Sequence, residues 1–161
     1  MSLSGQVKKV SLNNPMCVRR PGIVGELVNA AVVNLFQVVG GDVHVSGMHG
    51  KIATAIGANA TTVQLRILPT GSLVFQNLSA ASGNMTGLFA NTLLEPTGAI
   101  AVAIALEVTF GVGLVYQVTN TWVLIPGVIS ILVGGATTAV GSIDWNIEYR
   151  PLSPGAEILP L

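Results

Sequence analysis

"TGAIAVAIALEVTFGVGLVYQV", residues 97–118, carries one charge, Glu107, in 22 residues. Its length suits a helix that crosses a bilayer, for which about 20 apolar residues are enough. Its residues do not suit one. Val, Ile and Thr recur, glycines stand at 98, 111 and 113, and Glu107 sits near the middle. A carboxylate at the centre of a lone spanning helix costs roughly 2.5–3.5 kcal/mol. No Lys or Arg lies within fifteen residues of either end to anchor or orient a span. The pattern has a period of two instead. Ile100, Val102, Ile104, Leu106 and Val108 alternate with Ala101, Ala103, Ala105, Glu107 and Thr109. Large residues on one face and small ones on the other describe a strand with a core face and a tightly packed opposite face.

Strand signals continue on both sides. "TTVQLRIL" (61–68) places Val63, Leu65 and Ile67 on one face and Gln64 and Arg66 on the other. "SIDWNIEYRPL" (142–152) sets Ile143, Trp145, Ile147 and Tyr149 against Asp144, Asn146, Glu148 and Arg150. Gly40-Gly41 between β-branched runs reads as a hairpin or bulge, and Pro126-Gly127 reads as a turn. Residues 77–98 read as a long loop with room for one short helix, and only 25–39 holds a longer helical period. The fold class expected is all-β, an antiparallel β-sandwich or jelly-roll-like domain. The domain runs over 23–150, with an extended N-terminal arm over 1–22 and an extended C-terminal tail over 151–161. The three prolines of that tail should take it out of the sheet.

Composition bounds the function. At 161 residues one domain is expected, yet only 9% of residues are charged and 108–143 contain no Asp, Glu, Lys or Arg. So few charges cannot cover the surface of a monomer, which implies a homo-oligomer or a docked subunit. The net charge is zero, but Lys8, Lys9, Arg19 and Arg20 all fall in the first twenty residues, which hold no acid. That arm is expected to meet an acidic partner surface. Four charges without interleaved aromatics do not describe a nucleic-acid surface, and neither nucleic acid nor membrane is expected as a partner.

Residues suited to catalysis are scarce. Asp42 and His44 share a strand face and offer two ligands of the three or four that zinc requires; His49 is the one other histidine, so no metal is expected. There is no nucleophile motif and no phosphate-binding loop; Gly111-Val-Gly113 lacks the third glycine of a dinucleotide site. Cys17 excludes an intrachain disulfide. The expectation is a protein that is not an enzyme and has no cofactor. Trp122, Trp145 and Tyr149 sit in strand patterns as core or interface anchors, and with Lys8, Lys9, Arg19 and Arg20 they form the expected interface set.

Three stretches carry a family likeness. "LFQVVGGDVHVSGMHGKIATAI" (35–56), "ATTVQLRILPTGSLVFQNLSAAS" (60–82) and "GSIDWNIEYRPLSPGAEI" (141–158) resemble small virion-associated proteins of tailed bacteriophages. The shared features are the Gly-Gly-centred strand pair, a "G-x-I/V-x-T-A-I" run, a "T-T-x-x-L" strand and a closing strand with Trp, Tyr, Pro and Gly-Ala. The resemblance implies a virion structural protein, a capsid decoration or cement protein on the outer head surface. Its partners would be itself, as a homotrimer, and the major capsid protein. Its place would be the virion, after assembly in the host cytoplasm. Two other classes stay open: a phage tail, neck or fibre component, and a carbohydrate-binding β-sandwich module, for which the loop 77–98 offers only Phe89.

Overall fold

The structure, a computed structural model, describes residues 14–96, 105–107, 121–135 and 140–161. Among them are eleven strands, numbered in chain order, and no helix. They form two antiparallel sheets. The first runs β1 (Met16–Arg20), β10 (Ser142–Pro151), β3 (Val43–Thr54), β6 (Leu93–Glu95), β7 (Ala105–Glu107), with β8 (Trp122–Leu124) also paired to β3. The second runs β11 (Glu157–Pro160), β2 (Val32–Val39), β9 (Gly127–Gly135), β4 (Thr61–Pro69), β5 (Gln76–Asn77).

The alternation of large apolar residues sets which faces meet. On β4, Val63, Leu65 and Ile67 are buried while Gln64 and Arg66 are half-exposed. On β10, Ile143, Trp145, Ile147 and Tyr149 are all buried. These residues join Phe36, Val45, Met48, Ile52, Ile129, Ile131 and Val133 in one core between the sheets. Each such side chain stabilises the fold by about 1.5–3 kcal/mol relative to exposure. The β-sandwich expected from the period of two is the fold observed.

Strand pairing shows how the chain winds. β2 pairs with β11 in the second sheet, β3 with β10 in the first, and β4 with β9 in the second again. A two-stranded ribbon therefore passes from sheet to sheet and back, as in jelly-roll-like folds. Gly40-Gly41 lies on the first crossing. The sequence reads as a hairpin or bulge there, but β2 and β3 do not pair. Phe36 and Val38 fill the core from one sheet and Val43 and Val45 from the other, and a hairpin would put all four in one sheet. Gly40 makes the crossing possible with φ of 72°, and a Cβ on it would overlap the Gly155 carbonyl of the neighbouring crossing.

The ends depart from the expected arm and tail. Residues 16–20 of the arm are β1, paired along β10 from Met16↔Tyr149 to Arg20↔Trp145. Residues 1–13 lie outside the described residues. The tail leaves the first sheet at Pro151, turns through 152–156 and returns as β11 beside β2. Pro160 stands at the end of that edge strand, where a missing N–H costs least. The helical period over 25–39 gives way to β2, whose β-branched valines pack well on a pleated sheet. Of the stretch 97–118, only 105–107 are described. They are a strand, pairing Leu93↔Glu107 and Leu94↔Leu106, and the rest of that reading lies outside the described residues.

The loop after β5 holds no helix. It runs along β4 as an irregular strap, with Leu78, Ser82 and Met85 donating backbone N–H groups to Leu65, Val63 and Thr61. Between them, Ser79 Oγ, Ser82 Oγ and Asn84 Oδ1 accept from the N–H groups of Leu65, Val63 and Thr61. The edge of β4 is thereby closed to foreign strands.

Gly40→Ala should destabilise the protein by at least about 2 kcal/mol, because it adds left-handed strain to a backbone overlap. Urea denaturation checks this; an unchanged midpoint would mean that the crossing is not tight.

Candidate functional site

Of the expected interface residues, Lys8 and Lys9 lie outside the described residues. Trp145 and Tyr149 are not available to a partner. Both are fully buried, since β10 is covered on its inner face by the opposing sheet. Trp145 pairs across β3 with Gly50, and the missing side chain there lets the indole lie against the β3 backbone. Trp122 packs half-buried against the core. It lines a groove of about 350 Å³ with Ile67, Pro69, Leu78, Leu124 and Ile125, at the side where β5 and β8 leave the sandwich open.

The two arginines of β1 take different roles. Arg19 points outward and donates through Nη2 to Asp144 Oδ2 at 2.6 Å. The second oxygen of Asp144 accepts the Gly22 N–H at 2.9 Å. That backbone hydrogen bond, with Arg19 and the nearby Lys51, holds the Asp144 carboxyl below its usual value against the opposing effect of burial. Arg20 points inward and is buried, which removes it from the expected interface set. Its Nη1 meets Glu26 Oε2 at 2.5 Å and its Nε donates to the Leu161 carbonyl at 3.2 Å. Leu161 in turn donates its N–H to Leu35. One buried guanidinium thus ties β1 of the first sheet to the loop before β2 and to the end of β11 in the second.

No group of three or more His, Cys, Asp or Glu that could hold a metal occurs among the described residues. His44 faces Arg150 and Val123 across the first sheet. His49 lies on the same outer face, with its pKa lowered by partial burial and Glu148 acting in the opposite sense. Cys17 is exposed.

The outer faces of the two sheets differ in chemistry. The first carries Arg19, Lys51, Asp144, Glu148 and Arg150 together with the histidines. The second carries Arg66, stacked over Phe75 at 4.3 Å, and Glu157. Across the rest of it run ranks of aliphatic, amide and hydroxyl side chains: Leu159–Gln37–Val128–Leu68, Asn34–Ser130–Arg66–Asn77 and Val32–Leu132–Gln64. Val32 is 43% and Leu159 39% exposed. Composition did not point to this face, but the sequence of β9, "GVISILVGG", did carry a signal. Apolar residues occupy both parities, so the strand cannot hide all of them in one core.

No protein-family model matches the chain, and no curated protein is similar to it in sequence. In structure it is similar to a chain described as "Structure of infectious bursal disease virus Gx strain", with a TM-score of 0.34 and 11% identity. The match covers 91% of this chain and 39% of that one.

Arg20→Ala should cost about 3–5 kcal/mol, because it strands Glu26 as an unpaired buried charge. Asp144 and His49 both have folded-state pKa values below their unfolded ones, so the unfolded chain takes up protons more readily. Stability should fall as pH drops below about 6.5 through His49, and again below about 3.8 through Asp144. Asp144→Asn should flatten the lower limb only, measured as denaturation midpoint against pH.

Proposed function

We propose that this protein is a virion structural protein, a decoration or cement subunit that binds the outer surface of a phage head as an oligomer, most simply a trimer. The observation that carries this reading is the division of charge between the outer faces. A sandwich with one charged, water-compatible face and one nearly neutral face of aliphatic and amide groups is built to lie against protein. The family likeness of 35–83 and 122–158 supplies the particle as the setting. Its stabilising action would be mechanical, through contacts spread over several subunits, and would require no enzymatic step.

The major capsid protein is the second partner in this reading. β1 begins at Met16 on the margin of the charged sheet, and residues 1–13 precede it with Lys8 and Lys9. These two lysines, with Val7, Val10 and Leu12, would grip an acidic neighbour on the shell. Each exposed ion pair adds at most about 1 kcal/mol and weakens with salt, so the apolar contacts must add to it.

The test is co-sedimentation with phage heads stripped of this protein. Deleting residues 2–13 should leave the sandwich folded and lower occupancy, and raised salt should mimic part of that loss. Deleting residues 2–20 should unfold or strongly destabilise it, since that removes β1 and Arg20. Absence of the wild-type protein from the head pellet at any salt concentration would refute the decoration role. Binding to isolated tails instead would favour a tail or neck component.

A further inference from the structure

We infer that the outer face of the second sheet is the surface through which copies of this chain meet, with the β11 margin of one copy against the β4 margin of the next. The inference deepens the oligomer of the proposed function and rests on that reading for its setting, though its test needs no virion.

Three observations select a second copy as the occupant. First, the face is close to neutral. Its aliphatic residues Val32, Val128, Leu132 and Leu159 alternate with amides that both donate and accept, so it can meet another copy of itself without a charge left unpaired. An acidic or basic partner would find no matching field here. Second, the two charges it does carry stand on opposite margins, Arg66 on β4 and Glu157 on β11. Any rotation axis running along the strands, a threefold included, brings unlike margins together. An axis across the strands would set β4 against β4 and like charge against like. Third, the area fits. β2, β4 and β9, about 30 Å long, and β11, about 13 Å long, spaced about 4.8 Å apart, give a planar footprint near 500 Å² before side-chain relief is counted. A stable pair of partners needs about 800 Å² from each, so an occupant must use nearly the whole face.

Ser130 limits where the copies can touch. It is fully buried at the middle of this face, directly across from Arg66, and its Oγ has no hydrogen-bond partner among the described residues. Its own chain already covers this point, so contact with a copy falls on the exposed residues around it, Val32 and Leu159 among them.

Sedimentation velocity over a dilution series tests the inference, with far-ultraviolet circular dichroism to verify folding. Wild type should sediment as an oligomer at about 10 μM and dissociate only on strong dilution. Val128→Glu should shift it to monomer. Glu157→Arg sits on an exposed edge and cannot disturb the core; it should weaken assembly at least about tenfold at low salt. Glu148→Gln, on the other sheet, should leave assembly unchanged. A wild type that is monomeric at about 100 μM overturns the inference. So does wild-type assembly by folded Glu157→Arg. An oligomer that Glu157→Arg disrupts but that never binds heads would sustain this inference and refute the decoration role, whereas a monomer that binds heads would do the reverse.

Discussion

The ladder between β3 and β10 is the interaction on which the rest of the structure depends. Ten residue pairs run along it, from Ser142↔Thr54 to Pro151↔Val43. Every other strand of the first sheet is attached through it, β1 to β10, and β6 and β8 to β3. Both strands continue at each end into strands of the second sheet, so the register of this one ladder also sets where the crossings fall. Its most demanding point is Trp145 opposite Gly50. The largest side chain of the core is accommodated because its cross-strand partner has none.

A second constraint comes from the shortage of charge. Soluble sandwiches expose two outer faces, and this chain has polar groups of sufficient strength for only one. It spends them on β1, β3 and β10, where Arg19, Asp144, Lys51 and Glu148 lie side by side. The second sheet is treated differently at each boundary. Its β4 edge is closed by serine and asparagine groups of the 77–86 strap, its β2 edge by β11, and its outer face is left aliphatic and amide-bearing. The strap and β11 cover the β4 and β2 edges, which limits strand addition there.

The site was less legible than the fold, for identifiable reasons. Arg19 and Arg20 are adjacent and of one type, and a strand sends adjacent side chains to opposite faces. One became a surface ion pair and the other a buried tie between the sheets. Whether residues 16–20 were arm or strand could not be read from "MCVRR", because its pairing partner lies more than a hundred positions away. Trp145 and Tyr149 matched an interface as well as they matched a core, since both environments reward large amphipathic rings. Only the presence of an opposing sheet decides between them.

The sequence by itself determined that the chain is built of strands, and which face of β4 and of β10 turns inward. Those properties follow from a period of two, which is local and needs no partner. It also determined how little charge the surface can carry, because a count of charges is independent of fold. Tertiary structure alone decided that Gly40-Gly41 is a crossing and not a hairpin, that both termini supply edge strands, and that the nearly neutral residues of β2, β4, β9 and β11 come together on one outer face. Each of these depends on which strands become neighbours. That choice is made by the packing of two sheets around one core, through contacts between residues far apart in the chain.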